Sequence, residues 1–138
     1  MRDRVFIDSN IFLYAFNDSD LQKHKIATSV IMSSSYDSVI SVQVINEVSN
    51  NMLKKLNFSN NEVKEFVLDS FKRYKVQNFT KEIFANACDI RESYNISYYD
   101  SLILSAALFS GCKYLISEDM QHQQSIFDIL TIINPFID

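Results

Sequence analysis

At 138 residues the chain is long enough for one domain with a core and short for two. A hydrophobic share of 47%, with a single glycine and a single proline, argues against a disordered or low-complexity chain. The net charge of −4 supplies no basic field to draw in a nucleic acid, although a cluster of cation-binding acids would carry the same sign.

Met1-Arg2-Asp3-Arg4 runs straight into a strand, with no signal-peptide pattern, and no apolar run reaches membrane-span length, so a cytoplasmic protein is expected. Arg4-Val5-Phe6-Ile7 is that strand, rich in β-formers and ended by Asp8-Ser9-Asn10. Ile11 to Phe16 reads as a short buried helix. Asp8 therefore stands at a strand's carboxyl end and a helix's start, where an ordinary N-cap is the competing explanation. Asp18-Ser19-Asp20 caps a second helix over 21–34, and Ser38-Val39-Ile40-Ser41 is the second strand. A third helix over 42–56 carries an apolar stripe of Val44, Ile45, Val48, Met52 and Leu56, and Glu47 borders it.

Ser59-Asn60-Asn61-Glu62 is a capping box for a helix whose Val63, Phe66, Val67, Phe71 and Tyr74 are expected in the core. Lys72-Arg73-Tyr74-Lys75 closes it, and cations there are ordinary partners of the helix dipole. Val76-Gln77-Asn78-Phe79 is the third strand. Thr80 caps a helix to about residue 94, with Ile83, Phe84, Ala87, Cys88 and Tyr94 expected in core or interface. Cys88 and Cys112 lack metal-ligand spacing and are expected as buried free thiols; His24 and His122 are expected at the surface.

Residues 97–119 form the most informative stretch. Ser97-x-x-Asp100 opens a helix that is apolar almost all round, from Leu102 to Phe109, and so should be buried. Gly111 falls where a helix end wants positive φ. Tyr114-Leu115-Ile116 is a fourth strand and Asp119 follows it; Leu130-Thr131-Ile132-Ile133 is the last strand. This alternation predicts a single α/β domain over 1–138, with a short, mostly parallel sheet of four to five strands covered by helices on both faces.

Four acids stand out by position: Asp8, Glu47, Asp100 and Asp119. If the first, second and fourth strands are neighbours, all four converge on one crevice. Carboxylates so packed repel, and divalent cations relieve them; hard oxygen donors select Mg²⁺ or Mn²⁺. Such acid-held ions are common machinery for cutting phosphodiesters with activated water.

The chain resembles a PIN-domain protein, most like the VapC toxins of bacterial toxin–antitoxin pairs. Phe6-Ile7-Asp8-Ser9-Asn10-Ile11 is similar to the family's opening strand and first acid, and Ser41-Val42-Gln43-Val44-Ile45-Asn46-Glu47 to the segment with its second. Tyr99-Asp100-Ser101-Leu102-Ile103, with Leu115-Ile116-Ser117-Glu118-Asp119, resembles the segment with the third and fourth, and Ile132-Ile133-Asn134-Pro135-Phe136 resembles a common ending. The resemblance implies a three-layer α/β/α fold and a metal-dependent endoribonuclease. It implies Asp8, Glu47, Asp100 and Asp119 as catalytic residues and ligands of Mg²⁺ or Mn²⁺, with Asn10 and Ser117 binding substrate or orienting a carboxylate. It also implies an antitoxin partner and a homodimer, for which Tyr94, Tyr98, Phe109 and Tyr114 offer a face. Basic residues are only scattered, at Lys54-Lys55, Lys72-Arg73-Lys75 and Lys113.

The alternative of another class is a catalytically silent PIN-like module that keeps the pocket but only docks RNA or a partner. A phosphatase-like or receiver-like domain fits poorly. The second Asp that such phosphatases want is here Asn10.

Overall fold

A computed structural model describes residues 2–137. Pairs of helices separate the first four strands, and two more strands close the chain: β1 (Arg4–Ile7), α1 (Ser9–Ala15), α2 (Leu21–Met32), β2 (Asp37–Ser41), α3 (Val42–Lys54), α4 (Asn60–Arg73), β3 (Lys75–Gln77), α5 (Lys81–Ser93), α6 (Tyr98–Phe109), β4 (Tyr114–Ile116), β5 (Ser125–Ile126) and β6 (Leu130–Ile133). The strands make one sheet in the order β3-β2-β1-β4-β6-β5. All pairs are parallel except β5 with β6. Val5, Phe6 and Ile7 are buried in succession, as expected of a parallel strand covered on both faces. Around the sheet, α1 packs on α2 and α3, α3 on α4, and α5 on α6.

The sheet has six strands rather than four or five. The unforeseen one is β5, two residues long, which pairs antiparallel with β6 through Ser125↔Thr131 and Ile126↔Leu130. Its turn places Phe127 and Asp128 at φ 52° and 57°, with the Ile129 amide bonded to the Ile126 carbonyl at 3.0 Å. This is the geometry of a type I′ turn, built without the asparagine–glycine pair that usually announces it.

The helix ends are set locally. Ser59 and Glu62 form both halves of their capping box. After α6, Gly111 takes φ +74°. Its amide reaches the Leu108 carbonyl and that of Cys112 the Ala107 carbonyl, both at 3.0 Å, which is a Schellman closure.

Burial departs from the sequence expectation mainly at aromatic positions. Phe71 is 58% exposed, because five residues beyond Phe66 on a helix is about 140° away from it. Phe84 is exposed, and Phe109 and Tyr98 lie half-exposed at the two ends of the otherwise buried α6. Cys112 is buried as expected, but Cys88 is exposed and takes a bond from Arg91 at 3.1 Å. Among the described residues no helix is long and apolar enough to cross a membrane.

Candidate active site

Strands β2, β1 and β4 are consecutive neighbours, so their carboxyl ends open onto one edge of the sheet. The strand order reverses between β1 and β4, and such switch points form crevices beyond the strand ends. Here the register pairs Ile7 with Ile116, and the Asp8 amide bonds the Ile116 carbonyl at 3.0 Å. Asp8 and Ser117 therefore lie side by side at the switch.

Asp8 is 4% exposed. One carboxylate oxygen accepts the Ser9 amide at 2.7 Å and the other the Ser117 hydroxyl at 2.7 Å. It caps α1, as an ordinary reading of its position expects, but capping leaves its burial beside other acids unexplained. Burial pushes its pKa from 3.8 up to about 6; the bonds from Ser117 and Ser9 oppose the rise, and the charges of Glu47 and Asp119 add to it.

The other acids are held from different elements. Glu47, half-buried on α3, accepts the Ser9 hydroxyl at 3.2 Å and the Gln43 side-chain amide at 3.0 Å. Asp119 accepts the Asn10 side-chain amide at 3.0 Å, while the Asn10 oxygen takes the Glu118 amide at 3.2 Å. Buried Asn10 thus ties the start of α1 to the loop after β4. Asp100 stands in the first turn of α6, where its amide donates to the Ser97 hydroxyl at 3.3 Å. Only that half of a capping box is formed, in contrast to Ser59 and Glu62. Burial raises the Asp100 pKa, the Ser97 bond opposes this, and the charge of Asp119 adds to it. Asp100 and Asp119 both line a cavity of about 310 Å³.

The fold thus brings Asp8, Asn10, Glu47, Asp119 and Ser117 into one hydrogen-bonded set and couples Asp100 to it by charge. The set is all oxygen donors, as Mg²⁺ or Mn²⁺ requires. Among the described residues, no three acid, imidazole or thiol groups are gathered closely enough to hold one ion by themselves. A hard cation does not need that: Mg²⁺ is commonly held by one or two carboxylates, with waters and substrate phosphate completing its shell. The mutual repulsion of the acids is the kind a cation relieves, so the residues fit such an ion.

Both histidines are half-buried rather than freely exposed, bonded to the Tyr14 carbonyl and the Asn134 amide. Sequence reasoning passed over Ser9 and Gln43; the four-residue spacing of Gln43 and Glu47 on one helix face was the available signal. It also passed over Glu118, which takes the Tyr14 hydroxyl at 2.6 Å and pairs with Lys23. That contact steadies the loop carrying Ser117 and Asp119, and it joins residues 95 apart in sequence, where no local pattern could show it.

The model of the PIN domain matches residues 5–125. The chain belongs to the PIN-domain family. This PIN domain superposes on a toxin–antitoxin complex from Klebsiella pneumoniae with a TM-score of 0.71 and 17% identity, over 96% of this chain and 98% of that one. It superposes on VapBC2 from Rickettsia felis, bound to a promoter DNA fragment, with a TM-score of 0.62 and 19% identity, over 95% and 99%. For VapC20 of Mycobacterium tuberculosis, a toxin that cleaves the sarcin-ricin loop, the values are 0.64 and 13%, over 80% and 86%. At these identities the likeness is one of fold. No curated protein sequence matches the chain.

Proposed function

We propose that this PIN domain is a metal-dependent endoribonuclease, the toxin of a toxin–antitoxin pair. The observation that carries the reading is the hydrogen-bonded and charge-coupled set of Asp8, Glu47 and Asp119 at the β1–β4 switch point, with Asp100 and Asp119 lining one cavity. No serine, cysteine or histidine arranged as an activated nucleophile accompanies them among the described residues. Membership of the PIN family and the likeness in fold to toxins of such pairs support it.

In this reading Asp8, Glu47, Asp100 and Asp119 hold Mg²⁺ or Mn²⁺. The ion, when bound, supplies Lewis acidity for a water attacking the phosphodiester and charge compensation for the departing oxygen. The chain's own groups prepare that chemistry. Ser117 and the Ser9 amide fix the Asp8 carboxylate and favour its ionised form against burial. Ser9 and Gln43 fix both oxygens of Glu47, and Asn10 fixes Asp119. The carboxylates are thereby oriented before substrate arrives, which lowers reorganisation during reaction. An antitoxin partner and a homodimer belong to the same reading, and the half-exposed Tyr98 and Phe109 leave apolar surface for contacts of that kind.

The test is RNA cleavage by the purified protein with Mg²⁺ or Mn²⁺, with chelator, and by Asp8→Asn. Cutting that needs the ion and disappears in the variant is expected. Cutting that survives both chelation and the substitution refutes the site.

A further inference from the structure

Positive charge that is dispersed along the sequence meets at the end of the sheet opposite the acids. The starts of β1, β2 and β3 lie together there, in the registers Arg4↔Asp37 and Val39↔Lys75. A cavity of about 570 Å³ opens beside them. Arg2, Arg4, Arg73 and Lys75 line it, against a single lining acid, Asp37.

The internal partners leave a surplus. Arg2 pairs with Asp37. Arg73 meets Asp69 only at 3.7 Å, in an exposed pair of a kind that contributes little. Arg4 donates to the Ser110 carbonyl at 2.9 Å, which leaves its charge unneutralised, and Lys75 has no ion pair among the described residues. The field reaches inward: burial pushes the Cys112 thiol up to about 12, and Arg4 and Lys75 both act against that rise. Helix-dipole pairing accounts for Arg73 at the end of α4, but not for Lys75 on β3 or for Arg2 and Arg4 from the other end of the chain.

We propose that this cleft anchors the phosphate backbone of the RNA substrate, at the far edge of the sheet from the cutting site; the proposal rests on the nuclease reading above. A chain of net charge −4 with acids at its reacting edge repels a polyanion there, so a remote basic cleft is where binding energy is available. Guanidinium forks suit phosphate oxygens, and Tyr36 and Tyr74 in the same lining add ring surface. The two edges are separated by about one strand, roughly 13 Å for four residues, plus loops, a span that a folded or extended RNA bridges.

The test is fluorescence anisotropy of a labelled single-stranded RNA of roughly 30 nucleotides, in chelator and on an Asp8→Asn parent, titrated at salt between about 50 and 200 mM. Adding Arg73→Gln with Lys75→Gln should weaken binding about tenfold or more and flatten the salt slope by about 1.4, two phosphate contacts' worth. Lys54→Gln with Lys55→Gln changes the net charge equally and should leave affinity and slope near the parent's. Equal losses in both pairs would overturn the anchor, since charge anywhere would then suffice. Unchanged binding in the cleft pair would also overturn it and leave the cleft to an acidic protein partner. If the wild type cuts RNA while the cleft pair binds normally, the nuclease reading stands and the anchor falls. If the wild type never cuts yet the cleft pair loses RNA, the anchor stands and the nuclease reading falls.

Discussion

The two ends of the sheet are built on opposite terms. At the carboxyl end, the acids just after β1, on α3, on α6 and in the loop after β4 run from buried Asp8 through half-buried Glu47 and Asp100 to exposed Asp119, and several are bonded by hydroxyls and amides. At the amino end, cations from the chain start, β1, α4 and β3 stand exposed, partly paired, around an open cleft. A modest net charge conceals both. The lesson is that the carboxyl end is held against its own repulsion, and its neighbours orient charge rather than cancel it. The amino end pairs Arg2 with Asp37 and, weakly, Arg73 with Asp69, and leaves Arg4 and Lys75 without an ion pair among the described residues.

Substitutions should sharpen that contrast. Asp8→Asn should lower RNA cleavage by at least about 10²-fold, the order lost when a group acting at the reacting atoms is removed. The same change should stabilise the metal-free protein. The folded pKa of Asp8, about 6, lies above its ordinary 3.8, so the folded state holds this proton more tightly. Its favourable contribution is complete below that ordinary value and is lost as pH rises through 6. At pH 7 the loss approaches about 3 kcal/mol, from about 2 units at 1.36 kcal/mol each. Denaturant melts should therefore show Asp8→Asn more stable than wild type at pH 7 and no more stable at pH 4. A variant that is less stable at both would break the account of Asp8 as a strained, ionised group.

Ser117→Ala removes the hydroxyl that favours the ionised Asp8. The acid limb of the cleavage profile should move to higher pH, and stability should fall by about 1–2 kcal/mol, read from a pH–rate series and a melt. At the other end of the sheet, Gly111→Ala should cost about 1–2 kcal/mol through its positive φ alone, since an added Cβ would meet nothing nearer than Arg4 at 3.5 Å. Its cleavage rate per folded molecule should be unchanged.

The acids were legible because strand, cap and acid recur in a fixed order, and parallel neighbours carry that order to one edge. Gly111 was legible as well, since one glycine after an apolar helix has few other uses. The supporting shell was not: Ser9, Gln43 and the Glu118–Lys23 pair act through contacts between elements, which no local period records. Strand β5 was hidden because its turn uses Phe127 and Asp128 at positive φ, residues that do not advertise it. The basic cleft was hidden for a related reason, since Arg2 and Lys75 become neighbours only once β1, β2 and β3 pair.

The central claim, that the crevice bearing these four acids binds a divalent cation, is tested most directly by calorimetric titration of Mn²⁺ into the wild type and into Asp8→Asn, Glu47→Gln, Asp100→Asn and Asp119→Asn. The account predicts measurable binding to the wild type that weakens as pH falls through about 6, where Asp8 takes up its proton. It predicts weaker binding in every variant, with Glu47→Gln losing affinity far more than stability. Wild-type affinity retained in all four variants, or no binding to the wild type at all, would contradict it.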